Sequence, residues 1–207
     1  MCGADDLGIH YLDGRRDYLR CPRCRLIHVP AHQHLSPAAE RAEYDRHRND
    51  VHDPGYRRFL GRILPPLRAR RPPPAQGLDF GCGPGPALVT LLREAGYAMA
   101  AYDPFYAPDA RLLARDYDFI TATEVVEHLA RPGETLGRLW GCLRPGGVLA
   151  IMTQRAREAW RFPTWHYVRD PTHVAFFSAD TFRWLARRWG ARLSFPGADL
   201  AFLEKPR

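Results

Sequence analysis

One segment constrains the fold of this chain more than any other, the run Leu78-Asp79-Phe80-Gly81-Cys82-Gly83-Pro84-Gly85. It is typical of a short buried strand followed by alternate glycines, and a helical pattern begins at Ala87. Glycines at such a turn let a ligand approach the main chain where a Cβ atom would block it. The first turn of the helix then offers unpaired N–H groups to a carboxylate or a phosphate. The segment therefore predicts a ligand-binding unit of strand, loop and helix.

The spacing of these glycines disfavours a nicotinamide or flavin dinucleotide as the ligand. The dinucleotide fingerprint places its third glycine or alanine three residues beyond the second glycine. Proline occupies that position here, at Pro86. The glycine loop alone is weak evidence for any one ligand, so the rest of the chain has to identify it.

Strand and helix patterns alternate along the chain from residue 75 onward. Strands are predicted over residues 77–80, 97–102, 118–121 and 148–153, and helices over 87–95, 134–143 and 178–189. This alternation predicts an α/β fold, a Rossmann-like and mostly parallel sheet with helices on both faces. Residues 192–195 and 200–204 flank the turn Pro196-Gly197-Ala198-Asp199. A C-terminal hairpin is therefore expected to add an antiparallel strand.

Composition divides the chain near residue 75. The run Arg70-Arg71-Pro72-Pro73-Pro74 can neither continue a helix nor enter a sheet, so it indicates a stiff spacer. Before it, Ser36-Pro37 predicts the start of a helix that continues to about Arg48. An apolar stripe predicts a second helix from near Pro54 to Leu64. We therefore predict a cysteine- and histidine-bearing segment over residues 1–35, a helical lid and linker over 36–74, and the main domain over 75–207.

Four motifs follow one another in the main domain. They are Asp79-Phe80-Gly81-Cys82-Gly83-Pro84-Gly85, Tyr102-Asp103-Pro104, the pair Tyr117-Asp118-Phe119-Ile120 and Thr123-Glu124-Val125-Val126-Glu127-His128-Leu129, and Leu143-Arg144-Pro145-Gly146-Gly147-Val148-Leu149. This set resembles the motifs of the class I S-adenosylmethionine (SAM)-dependent methyltransferases. Residues 104–117 are too few for the usual helix, strand and loop. The third-strand region is therefore expected to be reduced, and the resemblance is closest to the compact branch that includes ubiquinone-biosynthesis-type O-methyltransferases.

The resemblance implies SAM as the cofactor and S-adenosylhomocysteine as its product. The glycines would let the main chain cradle the methionine part, Asp79 would lie near its amino group, and Asp103 would accept both ribose hydroxyls. The implied cofactor-binding residues are Asp79, Gly81, Gly83, Gly85, Asp103, Pro104, Phe105, Ala122, Thr123 and Glu124. Acids near a helix start stabilise the helix dipole. Glu127 is accordingly expected to be solvated, and His128 to pack or to form a hydrogen bond.

The segment from Trp165 to Ser178 is the expected acceptor side of the site. It follows the fifth strand, at the carboxyl edge where open α/β sheets bind ligands, and its aromatic residues suit a planar acceptor. A hydroxyl acceptor with a pKa of about 10 must lose a proton, which a histidine with a pKa of about 6.5 can take. We expect His173 to be this base, with His166 second and Asp170 orienting one of them. The alternative is that His173 hydrogen-bonds the loop main chain and fixes its shape.

The N-terminal cysteines suggest a zinc site. In Cys21-Pro22-Arg23-Cys24, two residues between the thiolates let both reach one tetrahedral ion. The run Met1-Cys2-Gly3 resembles the second half of a CxxCG pair, so the segment resembles a four-cysteine ribbon with one cysteine missing. Cys2, Cys21 and Cys24 are the predicted ligands; His28, His32 or His34 would complete the site, or the site would be inactive. The chain's other cysteines are Cys82 and Cys142, which are expected to be reduced core residues.

The net charge of +7 comes almost entirely from arginine, since Lys205 is the only lysine. Arginine suits phosphate recognition. These arginines are scattered, however, and with abundant alanine and proline they fit the codon bias of a GC-rich genome, which we favour. Nucleic acid is therefore disfavoured as a partner.

The leading functional prediction is SAM-dependent methyl transfer to a small aromatic or quinone-like acceptor, at oxygen rather than at nitrogen or carbon. Two alternatives are a methyltransferase acting on RNA or another macromolecule, and an inactive SAM-fold scaffold. No apolar run approaches the roughly 20 residues that a bilayer requires. No membrane span and a cytoplasmic location are therefore expected.

Overall fold

The computed structural model describes residues 1–46, 50–156 and 159–207. Its strands are β1 Gly8–Leu12, β2 Asp17–Arg20, β3 Ile27–His28, β4 Gln76–Phe80, β5 Ala98–Tyr102, β6 Tyr117–Thr123, β7 Leu143–Met152, β8 Ala175–Phe176, β9 Arg192–Ser194 and β10 Leu200–Glu204. Its α-helices are α1 Pro37–Tyr44, α2 Pro54–Gly61, α3 Leu64–Arg70, α4 Ala87–Glu94, α5 Pro132–Gly141 and α6 Ala179–Trp189. The expected extension of the first helix toward Arg48 is wrong at residues 45–46, because α1 ends at Tyr44 with Asp45 as its C-cap; residues 47–49 lie outside the described residues. None of the helices in these ranges is long and apolar enough to cross a bilayer.

Six strands form the main sheet, in the order β5-β4-β6-β7-β10-β9. β4 pairs in parallel with β5 and β6, and β6 pairs in parallel with β7. β10 is antiparallel to both β7 and β9. This confirms the predicted α/β fold and its C-terminal hairpin. Between β5 and β6 the chain forms a tight turn and the short 3-10 helix Ala110–Ala114, so the third-strand region is reduced as expected.

Helices cover both faces of the main sheet. Along β7, Val148, Ala150 and Met152 join the core beneath α2, α3 and α4. Leu149 and Ile151 point the other way, into the core beneath α5 and α6. This is the period-two alternation of a strand buried on both sides. A fully buried aliphatic side chain stabilises the folded state by about 1.5–3 kcal/mol. The core on both faces therefore holds the strands in place, and with them the edge of the sheet at which they end.

The predicted helix from near Pro54 to Leu64 is wrong at its C-terminal end. α2 ends at Gly61, and a separate helix, α3, begins at Leu64. Pro65 and Pro66 have no main-chain N–H to donate to the preceding turn, so they interrupt the first helix. Proline is tolerated in the first turn of a helix, where N–H groups have no partner. Two short helices therefore replace one.

The first 35 residues contribute a second sheet that the sequence patterns do not predict. Its four antiparallel strands lie in the order β1-β2-β3-β8. β8 belongs to the expected acceptor segment, so the N-terminal strands are hydrogen-bonded to that segment. Cys21, Cys24 and Leu26 also join the core beneath α5 and α6. The N-terminal segment is thus packed onto the main domain.

Candidate active site

A cavity of about 710 Å³ lies at the carboxyl ends of β4, β5 and β6. The glycine loop, the turn after β5, the helices α1 and α2, and the 165–178 segment all contribute to its walls. Its volume is within the range of roughly 300–1,000 Å³ that is typical of small-molecule sites. The predicted cofactor residues that line the cavity are Gly81, Gly83, Asp103, Pro104, Phe105, Thr123 and Glu124. Asp79, Gly85 and Ala122 are not among the lining residues.

The glycine loop owes its shape to main-chain angles that side chains disfavour. Gly81 has φ +77° and Gly83 has φ +63°. A Cβ atom on Gly81 would also lie 2.4 Å from Cγ2 of Val125. The Gly81 N–H donates to the carbonyl oxygen of Tyr102 at 2.8 Å, which ties the loop to the end of β5. Glycine is therefore required at Gly81 both for its conformation and for its packing.

Asp103 is held at the cavity wall by main-chain donors. Its Oδ2 accepts from the N–H of Gly83 at 3.0 Å, and its Oδ1 accepts from the N–H groups of Phe105 at 2.8 Å and Tyr106 at 3.1 Å. The main chain of Asp103 also pairs with Ala107, which closes the turn after β5. A carboxylate has about four acceptor positions. About one remains on Oδ2 for a ligand hydroxyl.

Asp79 lies behind the glycine loop rather than on the cavity surface. Its side chain is buried and accepts a hydrogen bond from Oγ1 of Thr121 at 2.6 Å. Burial, assisted by the charge of Asp103, raises the pKa of Asp79 to about 7. An acid that is partly protonated at neutral pH thus lies behind the glycine loop.

Aromatic residues of α1 and α2 contribute to the wall of the cavity, a role that the sequence patterns do not assign to any of them. Tyr44, Tyr56 and Phe59 line it. The ring of Tyr44 meets that of His128 edge to face at 5.3 Å and lies 5.8 Å from Phe105. The apolar stripe of α2 was the available signal for Tyr56 and Phe59. Tyr44 carried no such signal, since its helix has no buried residue.

The structure brings the three predicted acceptor-side residues, His166, Asp170 and His173, to the same cavity. Nδ1 of His173 lies 2.8 Å from the carbonyl oxygen of Tyr167. Nε2 of the same ring lies 3.7 Å from Oδ2 of Asp170. Burial lowers the pKa of His173 although Asp170 opposes this. Burial also opposes ionisation of Asp170, but the Thr172 hydrogen bonds and His173 lower its pKa. A neutral histidine thus lies beside a carboxylate.

Residues 44–193 match the protein family described as a methyltransferase domain, which is well over half of the chain. This chain belongs to the methyltransferase-domain family. No curated protein is significantly similar to it. The family match covers the glycine loop, Asp103 and the whole acceptor segment.

Solved structures share the fold of this methyltransferase at low identity. The 1,6-didemethyltoxoflavin-N1-methyltransferase of Burkholderia thailandensis, solved with 1,6-didemethyltoxoflavin and S-adenosylhomocysteine, aligns over 96% of this chain and 99% of its own, with 18% identity and a TM-score of 0.51. A SAM-dependent methyltransferase from Archaeoglobus fulgidus aligns over 66% and 69%, with 20% identity and a TM-score of 0.54. An O-methyltransferase family protein from B. thailandensis aligns over 82% and 68%, with 15% identity and a TM-score of 0.51. The fold is therefore that of SAM-dependent methyltransferases.

Glu127 is not at a solvated helix start, so that expectation is wrong. Residues 126–128 form a single 3-10 turn beneath the acceptor segment, and Glu127 is 0% exposed. The main-chain N–H of Val174 donates to the carbonyl of Glu127 at 2.8 Å, which covers the turn. The side chain accepts from Oγ1 of Thr153 at 3.0 Å and from the hydroxyl of Tyr167. Burial raises the pKa of Glu127 to about 7.

Glu124 forms a second buried acid beside Glu127. Its main chain has φ +52°, an uncommon conformation for a residue with a side chain. Its Oε2 lies 3.3 Å from the hydroxyl of Tyr167, and its Oε1 is buried without a hydrogen-bond partner among the described residues. Burial and the neighbouring Glu127 raise the pKa of Glu124 to about 8. Two acids therefore share one tyrosine hydroxyl at the edge of the cavity.

The three predicted zinc ligands converge away from this cavity. The Sγ atoms of Cys2 and Cys21 lie 3.3 Å apart, and those of Cys2, Cys21 and Cys24 all lie within 4.8 Å of one another. None of the predicted histidines joins this group. Nε2 of His34 instead forms a hydrogen bond of 2.8 Å with the carbonyl oxygen of Val29. Within the described ranges, the fourth position of a tetrahedral site therefore has no cysteine, histidine or carboxylate ligand.

Proposed function

We propose that this chain is a SAM-dependent methyltransferase that methylates a small aromatic or quinone-like acceptor, with oxygen as the favoured atom. One observation carries the proposal: a single cavity joins the glycine loop and Asp103 to His166, Asp170 and His173. Methyl transfer requires the cofactor and the acceptor to be aligned in one space. The resemblance to ubiquinone-biosynthesis-type enzymes supports oxygen as the acceptor atom.

The residues around the glycine loop fit SAM. The remaining acceptor position of Asp103 suits a ribose hydroxyl, and Pro104 and Phe105 offer an apolar surface to the adenine. The narrow glycine turn would hold the methionine part, and the ionised form of Asp79, behind the turn, would attract its ammonium group. When bound, SAM supplies a methyl group on a cationic sulfur. The aromatic side chains of Tyr44, Tyr56 and Phe59 would exclude water, as a lid formed by residues 36–74.

The acceptor side supplies a group for the proton of a hydroxyl. A hydroxyl that accepted the methyl group would give up its proton, which a side chain on this side of the cavity would have to take. Nε2 of His173 is our first candidate for the proton, because the carbonyl of Tyr167 accepts from Nδ1–H and leaves the lone pair on Nε2. Asp170, whose Oδ2 lies 3.7 Å from Nε2, would stabilise the ring once Nε2 has taken the proton, and His166 is the second candidate. A neutral histidine is the form that can accept a proton.

The arginines support a small acceptor rather than RNA. Several of them pair with carboxylates of the same chain: Arg57 with Glu94, Arg62 with Asp199, Arg70 with Glu204 and Arg144 with Asp118. Each pair includes at least one half-buried side chain. The paired carboxylates offset charge that would otherwise attract a phosphate backbone.

Thermal unfolding with added nucleotides tests the cofactor assignment, because a ligand that binds only the native state raises the melting temperature. S-adenosylhomocysteine should stabilise the protein, and NAD should not. Transfer of labelled methyl from SAM to a panel of phenols and hydroxyquinones then tests the acceptor class. Stabilisation without transfer to any oxygen or nitrogen acceptor would favour the inactive scaffold, and no stabilisation would contradict the cofactor assignment.

We also propose that Cys2, Cys21 and Cys24 bind zinc. Three sulfur atoms already lie near one point, and thiolates are preferred zinc ligands. Water or a further ligand would take the fourth position. Zinc here would hold the turn between β2 and β3, far from the chemistry. Metal analysis of protein purified without chelator tests this, and protein without zinc would refute it.

A further inference from the structure

Four side chains that can bind a metal meet at the acceptor side of the cavity. Ligand atoms of Glu127, His128 and His173 lie within 4.8 Å of one another. Glu124 joins them through the Tyr167 hydroxyl, which lies within hydrogen-bonding distance of both carboxylates. The rings of His128 and His173 are 4.7 Å apart. These residues come from the turn after β6 and from the acceptor segment.

The cluster has too few hydrogen-bond donors for its acceptors. The Tyr167 hydroxyl carries one hydrogen but lies beside two carboxylates, and Thr153 supplies one further O–H to Glu127. Oε1 of Glu124 has no partner within the described ranges. A buried carboxylate without donors or an opposite charge is destabilising by several kcal/mol. A bound cation would give these oxygens the partners that they lack among the described residues.

We infer that Glu124, Glu127, His128 and His173 bind a divalent cation. Two carboxylates and two imidazoles suit ions such as Mn²⁺, Fe²⁺, Co²⁺ or Zn²⁺. Ligands at about 2.0–2.2 Å from one ion lie at most about 4.4 Å apart, so Glu127, His128 and His173 need to move by a few tenths of an ångström, whereas Glu124 lies outside that group and has to turn toward it. Such a cation would offset both buried charges.

Both histidines have the orientation that a ligand needs. Nδ1 of His173 faces the carbonyl of Tyr167 at 2.8 Å, and Nδ1 of His128 faces the carbonyl of Thr172 at 3.3 Å. An Nδ1–H that donates to a carbonyl leaves the lone pair on Nε2, the usual tautomer of a metal-bound histidine. The main chain of the acceptor segment thus fixes the orientation of both rings.

The cation would face the acceptor. Glu124, His128 and His173 line the cavity, and Glu127 lies behind them. This part of the inference rests on the proposed methyl transfer: a hydroxyl bound to the cation loses its proton more readily. With Nε2 of His173 occupied by the cation, the proton passes to His166, the second candidate above.

Electron paramagnetic resonance of Mn²⁺ tests this site in the full-length chain, because bound Mn²⁺ loses the signal of the free ion. Mn²⁺ prefers oxygen and nitrogen ligands to thiolates, so the cysteine cluster does not interfere. The wild type should bind one Mn²⁺ per chain. Glu124→Gln and His173→Gln should each weaken binding by roughly tenfold or more. Glu134→Gln, at an exposed glutamate of α5, is the matched control and should bind as the wild type does.

Thermal stabilisation by S-adenosylhomocysteine, measured on the same samples, separates the two proposals. If the wild type is stabilised but binds no Mn²⁺, the cation site is refuted and the methyltransferase proposal stands. If Mn²⁺ binds but S-adenosylhomocysteine does not, the cation site stands without the proposed function. Unchanged Mn²⁺ affinity in both variants, each still stabilised by S-adenosylhomocysteine, would also refute the site.

Discussion

The guanidinium of Arg16 donates a hydrogen bond to the main-chain carbonyl of His173 at 3.1 Å. The same group also donates to the carbonyls of Asp170 at 3.1 Å and Pro171 at 3.2 Å, and to that of Val168. One side chain from the turn between β1 and β2 therefore binds the segment that carries the acceptor-side residues. The N-terminal sheet thus positions the candidate base.

Replacing Arg16 should loosen the acceptor segment without affecting the cofactor side. Hydrogen bonds from a charged donor contribute about 1.5–3 kcal/mol, so Arg16→Gln should lower the free energy of unfolding by an amount of that order. Hydrogen exchange of residues 165–178 should become faster, while the affinity for S-adenosylhomocysteine stays the same. Arg15→Gln, at the exposed neighbouring arginine, is the control. Unchanged exchange in Arg16→Gln would show that the segment holds itself in place.

Replacing Asp103 should weaken the binding of the cofactor, whereas replacing Arg16 should not. Asp103→Asn removes the charge and replaces one of the two acceptor oxygens by an amide donor, so the main-chain N–H groups that face that atom lose their acceptor. We expect the dissociation constant for S-adenosylhomocysteine, measured by calorimetry, to rise by roughly 10- to 100-fold, which corresponds to about 1.4–2.8 kcal/mol. Asp109→Asn, at an exposed aspartate paired with Arg111, should change nothing. Equal affinities in the two variants would argue against a cofactor role for Asp103.

Asp79 should make stability depend on pH. Burial raises its pKa to about 7 in the folded protein, whereas the unfolded value is about 3.9. Between these two values the folded state binds more protons than the unfolded state, so the contribution of Asp79 to stability falls as the pH rises. Asp79→Asn removes this dependence. Its free energy of unfolding relative to the wild type should therefore rise by roughly 1–4 kcal/mol from pH 4 to pH 8.

Urea denaturation at a series of pH values measures the difference. Asp118→Asn is a useful comparison because the pKa of Asp118 is lowered in the folded protein, although burial opposes this, by hydrogen bonds from Gln76 and Arg144. Its effect should have the opposite sign and should be confined to low pH. A difference between Asp79→Asn and the wild type that does not vary with pH would contradict the raised pKa.

Local patterns were sufficient to predict the main sheet and half of the site. The glycine loop, the strand that precedes it and Asp103 lie close together in the chain, so their geometry follows from short-range rules. The alternation of strands and helices likewise predicted a mostly parallel sheet, although not the order of its strands. These predictions did not depend on any distant contact.

The remaining features depend on contacts between distant parts of the chain. Glu127 carries the pattern of a solvated helix start, yet it is buried because Val174 and Tyr167 fold over it. The two-residue strands β3 and β8 are too short to show a periodic pattern, and their pairing with each other joins two distant parts of the chain. The same pairing places Arg16 against the acceptor segment. No local signal in the sequence reports such pairing.

Gly81→Ala should disrupt the loop even though it adds one methyl group. The new Cβ would lie 2.4 Å from Val125, on a residue with φ +77°. The left-handed conformation alone costs about 1–2 kcal/mol for an L-residue, so stability and affinity for S-adenosylhomocysteine should both fall. Gly137→Ala in α5 meets nothing within 4 Å and should instead stabilise by about 0.5–1 kcal/mol. Urea denaturation of both variants compares them, and a neutral Gly81→Ala would mean that the loop can rearrange.

Zinc bound to the cysteine cluster should stabilise the N-terminal sheet. If zinc joins Cys2, Cys21 and Cys24, a chelator should lower the melting temperature and speed hydrogen exchange in residues 17–28, because the metal fixes the turn between β2 and β3. Cys24→Ser should abolish bound zinc, measured by plasma mass spectrometry, and should make the protein insensitive to the chelator. Cys82→Ser, outside the cluster, should retain both the metal and the sensitivity. Equal zinc content in Cys24→Ser and Cys82→Ser would place the metal elsewhere.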